Sequence, residues 1–265
     1  MHNFISFKDN ICMITGAGSP DGIGFATAKI LGQLGGKVVL LATTERIYER
    51  VDELKSLGVE AKGFIADLMD FQKVEEVTSD IIDIYGKIDV LINNAGMAQI
   101  GHEEDFTTFD KVTDESWNDS INRNLNLCYN VTRRILPHMI ENRYGRIVNT
   151  SSVTGFVVSN PGEAAYGAAK AAIIGMSKAI AIEVAKYNIV INNVLPGWIA
   201  TGSQTKQEAY AGENTPIGRG GTSEEVGNMN VFLASEKASY ITGQTFIVDG
   251  GNTLQEYKGP PEFYY

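Results

Sequence analysis

Tyr166 and Lys170, in the stretch YGAAK, are spaced so that a helix would bring their side chains together, and the two types together suit proton transfer to an oxygen. An ordinary tyrosine, with a pKa of ~10, is a poor base at neutral pH, so something must stabilise its phenolate. On a helix, residues i and i+4 share a face, which sets the Lys170 ammonium under the Tyr166 oxygen. Two unit charges ~4 Å apart at an effective dielectric of ~20 attract by about 4 kcal/mol, equivalent to roughly three pKa units. A tyrosine so placed can serve a reaction that moves a hydride to or from an oxygen-bearing carbon. The pentapeptide alone carries little weight, since a packed helix face with small residues would read the same way.

A second stretch, TGAGSPDGIG from Thr15 to Gly24, joins a short apolar run to a helical pattern. A strand, then glycines, then a helix N-terminus is the geometry that takes a pyrophosphate, because the backbone can approach the anion and orphan N–H groups face it. Gly16, Gly22, Ile23 and Gly24 are the candidate contacts, with Ser19 and Asp21 inside the turn. The spacing departs from G-x-G-x-x-G, with five residues between Gly16 and Gly22, so a tight turn without ligand is the competing reading.

A dinucleotide site continues at the end of the second strand, here LLATTER. An acid at position 42 or 43 would repel a 2′-phosphate, whereas Ala42, Thr43 and Thr44 offer small size and hydroxyls, and Arg46 follows. This favours NADP(H) over NAD(H), with Glu45 and Asp21 weighing against it. After the third strand, Asp67 and Leu68 stand where an adenine amino group could be bound, although an Asp capping the next helix would look alike.

These residues need a frame. Apolar β-rich runs at 11–15, 37–42, 60–66 and 89–93 alternate with helical patterns. Two helical stretches follow over about 115–142, then strand 146–151, a helix over 164–186, strand 189–196, a helix from Ser223 to Ala234 and strand 245–250. Continuous apolar strands separated by helices predict a parallel sheet covered on both faces. The fold class is α/β, a Rossmann-type doubly wound seven-stranded sheet, in one domain spanning 1–265. Loops 97–114 and 198–222 and the tail 252–265 stand outside that core, and loops at strand C-termini are where such sheets bind ligands.

Composition narrows the function classes. The 265 residues carry a formal charge of −10, and the 22 Lys and Arg are scattered, which excludes a basic stripe for nucleic acid. Cys12 lies in an apolar run and Cys128 in a helical pattern, so a disulfide framework is not expected and a reducing cytoplasm is. No stretch of about 18 apolar residues suggests a membrane span, and the N-terminus has no leader pattern. His102 beside two Glu and an Asp reads as a solvated loop, so no metal is expected.

Three further stretches sit at strand ends, NNAG (93–96), NTSS (149–152) and PGWIAT (196–201), with YGAAK (166–170) following the second. With them the chain, from Thr15 to Gly251, resembles the short-chain dehydrogenase/reductase family in its single-domain form, similar to its 3-oxoacyl reductase-like members. The resemblance implies that Ser152, Tyr166 and Lys170 are a catalytic trio and that Asn124, seven residues after Trp117, completes a tetrad. Ser151 is the neighbour to be distinguished, and Ser152 fits the family's SS-x-x-G pattern. Ser152 would then hydrogen-bond the substrate oxygen, and Asn124 would hold a water linking Lys170 to solvent. The resemblance also assigns Asn93, Ala95 and Gly96 to the nucleotide side. It gives Pro196, Gly197, Ile199 and Thr201 to the nicotinamide and phosphates, and Tyr166 and Lys170 to the cofactor as well. The glycine turn, two residues longer than the family's commonest form, is a departure.

The implied activity is interconversion of a ketone and a secondary alcohol with NAD(P)H, on the 4-pro-S side. A 3-oxoacyl-thioester reductase is a narrower form of it, and a non-catalytic NADP-binding sensor or scaffold is the reading of another class. Gln99, Ile100, Phe156, Val157, Trp198 and Tyr210 are expected to line a largely apolar pocket for a hydrophobic substrate. A homotetramer, or a homodimer, is expected by analogy, with the aromatic tail PPEFYY packed on a neighbour.

Overall fold

The computed structural model describes residues 4–96 and 106–256. Gln99, Ile100, His102 and the first half of the 97–114 segment lie outside them, as does the PPEFYY tail. Seven strands form one parallel sheet in the order β3-β2-β1-β4-β5-β6-β7. They are β1 (Ile11–Thr15), β2 (Lys37–Ala42), β3 (Ala61–Ile65), β4 (Val90–Asn93), β5 (Gly145–Thr150), β6 (Ile189–Pro196) and β7 (Thr245–Val248). The order turns back on itself between β1 and β4, and the crevice outside the strand C-termini at such a switch point is where this architecture binds ligands.

The inner strands are buried on both faces because helices cover both, whereas β3 and β7 at the edges are partly exposed. Successive side chains of a strand point to opposite faces. Cys12 and Ile14 therefore join Val38, Leu40, Leu31 and Val226 in one core, under α1 (Ile23–Gln33) and α8 (Ser223–Ala234). Met13 joins Val39, Leu41, Val77, Val131 and Ile173 in the other, under α3 (Phe71–Tyr85), α5 (Leu127–Asn142) and α6 (Ala164–Val184). Each fully buried Leu or Ile contributes roughly 1.5–3 kcal/mol, so the two cores supply most of the driving force. The remaining helices are α2 (Arg46–Ser56), α4 (Asp114–Ile121) and α7 (Lys206–Glu213).

Two details differ from the expected element pattern. The helical stretches after 113 run on from one another, with a π-helical turn over Asn122–Asn126 between α4 and α5. The segment 198–222 contains α7, whose Thr205 and Glu208 form a capping box. Among the described residues no helix is long and apolar enough to cross a membrane, and no group of His, Cys, Asp and Glu could hold a metal ion.

Candidate active site

The glycine turn is pressed onto the end of β4. Gly16 has φ +67°, and a Cβ there would lie 2.7 Å from the Cα of Ala95. A Cβ at Gly24 would meet the Gly16 carbonyl and Asn94 Nδ2, each at 2.6 Å, so neither position accepts a side chain. Thr15 and Asn94 hold the two segments together. The Asn94 and Ala95 amides both donate to Thr15 Oγ1 at 3.0 Å, and Asn94 Nδ2 donates to the Gly16 carbonyl at 3.1 Å. Neither residue stands out in the sequence, where both read as ordinary members of TGAG and NNAG.

Helix α1 follows Gly22 at its N-cap, which offers no side-chain cap, and no acid lies in its first turn. Its first N–H groups therefore present a positive helix end toward the crevice. The segment after β6 comes over this turn, since a Cβ at Gly202 would lie 3.4 Å from Asp21 Oδ2 and 3.9 Å from Ser19 Oγ. Thr201 Oγ1 is 3.1 Å from Ser203 Oγ there, and Ile199 bridges to Gly221. A tight glycine cradle and an uncapped helix fit the diphosphate of a dinucleotide.

Some of the other candidates make hydrogen bonds within the fold. Asn93 is 3% exposed, with its side chain turned into the interior, where Nδ2 donates to Thr132 Oγ1 and Asn149 Oδ1. Asp67 does not cap α3; Asp70 does, through Gln72 N and Lys73 N. Asp67 instead accepts from its own Met69 amide at 2.9 Å, and the Leu68 carbonyl accepts from Asn130. Gly197 has a packing reason to be glycine, since a Cβ would lie 2.7 Å from that of Asp249. Pro196 ends β6 in the sheet. At the end of β2, Thr43 and Arg46 are exposed and Thr44 is half-buried.

Tyr166 and Lys170 occupy the inner face of α6, 9% and 4% exposed, with Lys170 Nζ 5.6 Å from the ring centroid. Nζ also donates to the Thr150 carbonyl at 3.4 Å. The two serines of NTSS part company. Ser151 is buried and donates to the Lys170 carbonyl at 2.7 Å, whereas half-buried Ser152 accepts from the Thr154 amide at 3.1 Å. Asn124 is fully buried on the π-helical turn, with Nδ2 donating to the Ser120 carbonyl at 3.0 Å. Gly96 lies between Asn124 and Lys170: a Cβ there would be 3.2 Å from both Oδ1 and Nζ.

The chain as a whole is similar to known enzymes. A family model described as enoyl-(acyl carrier protein) reductase matches residues 16–253. The 3-oxoacyl-(acyl-carrier-protein) reductase of Thermotoga maritima is 39% identical over 249 residues, covering 92% of this chain and 98% of that one. The chain belongs to the short-chain dehydrogenase/reductase family. It is an oxidoreductase that acts on a CH–OH group, or the corresponding ketone, with a nicotinamide cofactor. Oxidoreductase UcpA of Salmonella typhimurium is 36% identical over 259 residues, covering 92% of this chain and 94% of that one. A solved structure from Agrobacterium tumefaciens, described as a candidate gluconate dehydrogenase, superposes with a TM-score of 0.86 at 27% identity, covering 94% of this chain and 98% of that one.

Within this short-chain dehydrogenase/reductase, Tyr166 borders a cleft of about 270 Å³ lined also by Phe106, Val112, Ser116, Asp119 and Arg123. The described lining of this cleft is largely polar, and the expected Gln99 and Ile100 lie outside the described residues. Phe156 and Val157 line a different groove, with Ala164, Ala168 and Ala171 of α6, and Trp198 and Tyr210 border neither. Both cysteines are buried thiols, and burial pushes Cys128 up to about 12, so neither is a ready nucleophile.

Proposed function

We propose that Tyr166 is the general acid and base of this oxidoreductase, giving its phenolic proton to the substrate oxygen in reduction and taking it back in oxidation. The observation that carries this reading is the buried Tyr166–Lys170 pair on one face of α6. The Lys170 ammonium favours the phenolate and so makes the tyrosine competent near neutral pH. Ser152 donates to the same substrate oxygen and orients it. Asn124, with Oδ1 across Gly96 from Lys170 Nζ, holds the water that resupplies the proton. The nicotinamide, when bound, supplies or accepts the hydride.

The residues proposed to hold the dinucleotide are the glycine turn, with Ser19, Asp21 and Ile23, for the diphosphate, and Ala95, Gly96, Ile199 and Thr201 for the nicotinamide side. The interior hydrogen bonds of Asn93 and the turn of Asp67 leave those two only their backbones and one carboxylate oxygen, respectively. NADP(H) is favoured over NAD(H). The support is the absence of an acid at Ala42, Thr43 and Thr44 and the exposed Arg46 at the first position of α2, where a 2′-phosphate would be received.

The substrate is a small carbonyl compound or its alcohol. The names of the relatives favour a 3-oxoacyl thioester, while the polar residues beside Tyr166 favour a more hydroxylated molecule. A cytoplasmic location fits two free buried thiols. A homotetramer or homodimer fits the exposed apolar positions along α6, among them Ala168 and Ile182. Titration with NADPH and NADH, followed by a carbonyl panel and Tyr166→Phe, tests the whole reading. A tighter Kd for NADPH and loss of turnover in the variant are expected. Full turnover by Tyr166→Phe would overturn the acid–base role, and a tenfold preference for NADH would overturn the coenzyme reading.

A further inference from the structure

We propose that Ser177 is a positioning residue that sets the register of α6 over the sheet, and that the proton transfer at Tyr166 depends on it. This rests on the acid–base reading of Tyr166 given above. Tyr166, Lys170 and Ser177 stand at i, i+4 and i+11 of α6, three turns along one face, and all are buried. The rest of the α6 contact with β5 and β6 is largely apolar, with Ile173, Ala181 and Val184 against Ile147, Ile189 and Ile191. Apolar contact is non-directional and tolerates small slides, whereas a satisfied buried polar network has one geometry.

Among the described residues, Ser177 is the α6 side chain that joins a polar network running across three strands. Asn93, Asn149 and Asn193 are register neighbours on β4, β5 and β6. Asn93 Nδ2 donates to Asn149 Oδ1 at 2.8 Å, and Asn149 Nδ2 donates to Ser177 Oγ at 2.9 Å. The Ser177 hydroxyl faces Asn193 Oδ1 and the Ile173 carbonyl, both at 2.7 Å, and Asn193 Nδ2 donates on to the Gln244 carbonyl at 3.3 Å. With the one Ser177 hydroxyl proton on Asn193 Oδ1, the donors run head to tail from Asn93 to Gln244. Near the top of α6, Ser151 donates to the Lys170 carbonyl. Residues 149 and 151 of one strand end thus grip the helix at 177 and 170, immediately before Ser152. Relative placement of Ser152, Lys170 and Tyr166 follows from those two grips.

Ser177→Ala removes the hydroxyl with little change in volume and leaves Asn149 Nδ2 and Asn193 Oδ1 without this partner. The expected result is a fall in kcat of about tenfold or more with KM little changed, and an alkaline limb of the pH–rate profile for reduction moved to higher pH, as Lys170 drifts from the tyrosine. Ser177→Thr, which keeps the hydroxyl, restores the profile. Asn230→Ala, which deletes the buried bond to Thr27 Oγ1 between α8 and α1, is the comparison for stability alone. It lowers the melting temperature and leaves the profile in place. If Ser177→Ala leaves the profile unmoved, or loses rate only in step with Asn230→Ala, the positioning role is wrong. Should Ser177→Ala not fold, Ser177→Cys offers a weaker bond in similar space and is read against the same profile. Tyr166→Phe in parallel separates the two claims: turnover retained there refutes the acid–base reading, whereas an inactive Tyr166→Phe with an unmoved Ser177→Ala refutes only the positioning.

Discussion

Lys170 Nζ stands 5.6 Å from the centroid of the Tyr166 ring, one helical turn further along α6, and both side chains are buried. The charge therefore acts on the phenol with little solvent between them. Lys170→Met keeps most of the stem's volume and removes the charge. Turnover should fall by about 100-fold or more, with the acid limb of the oxidation profile, where the phenolate forms, displaced to higher pH. Steady-state rates across pH check this, and a profile like wild type would count against the pair.

Gly96 leaves room for two side chains to meet. A Cβ at this position would sit 3.2 Å from both Asn124 Oδ1 and Lys170 Nζ, closer than nearly all real Cβ contacts. Gly96→Ala should therefore displace one of them and lower kcat by roughly tenfold or more, with the circular dichroism spectrum unchanged.

Coenzyme affinity should respond separately. Gly24→Ala brings a methyl to within 2.6 Å of the Gly16 carbonyl and Asn94 Nδ2, which forces the turn off β4. The dissociation constant for NADPH, followed by fluorescence, should rise by at least about tenfold, a loss of ~1.4 kcal/mol. Unaltered affinity would show that this turn does not hold the dinucleotide.

At the opposite end of β5, stability and activity should separate. Arg146 is fully buried, stacks 4.4 Å over the Tyr144 ring, and pairs with Glu236 at 3.1 Å while donating to the Asn188 carbonyl at 2.8 Å. Burial, then the hydrogen bond with Glu236, pushes the Tyr144 hydroxyl up, so it stays neutral. Arg146→Met should lower stability by about 2–4 kcal/mol in urea unfolding. The kcat of the remaining folded enzyme should match wild type.

Acid should loosen the segment before α8. The side-chain hydrogen bond from Arg219, then that from the Thr222 amide, holds the Glu225 carboxyl at about 2, down from 4.5. Because the folded value is depressed, the stabilisation is present above pH 4.5 and is lost as pH falls through about 2. Both side chains are well exposed, so the effect is small. Thermal melts at pH ~6 and ~3 should show wild type losing more than Glu225→Gln, and parallel losses would refute the assignment.

Much of this molecule is legible without coordinates because it is encoded locally. Apolar runs such as ICMIT and KVVLLA specify strands, glycines before a helix specify a turn, and a Tyr and Lys four apart share a helical face whatever surrounds them. Tertiary structure decided matters that depend on register and packing between distant segments. It turned Asn93 inward to Asn149, made the Asp67 side chain part of a local turn, separated the groove of Phe156 from the cleft of Tyr166, and buried Ser151 while leaving Ser152 half-buried. Ser177 is the sharpest instance. In the sequence it is one small polar residue in an apolar helix, and its meaning arises only when parallel pairing aligns three asparagines from strands up to 100 positions apart, Asn93 to Asn193, beneath it.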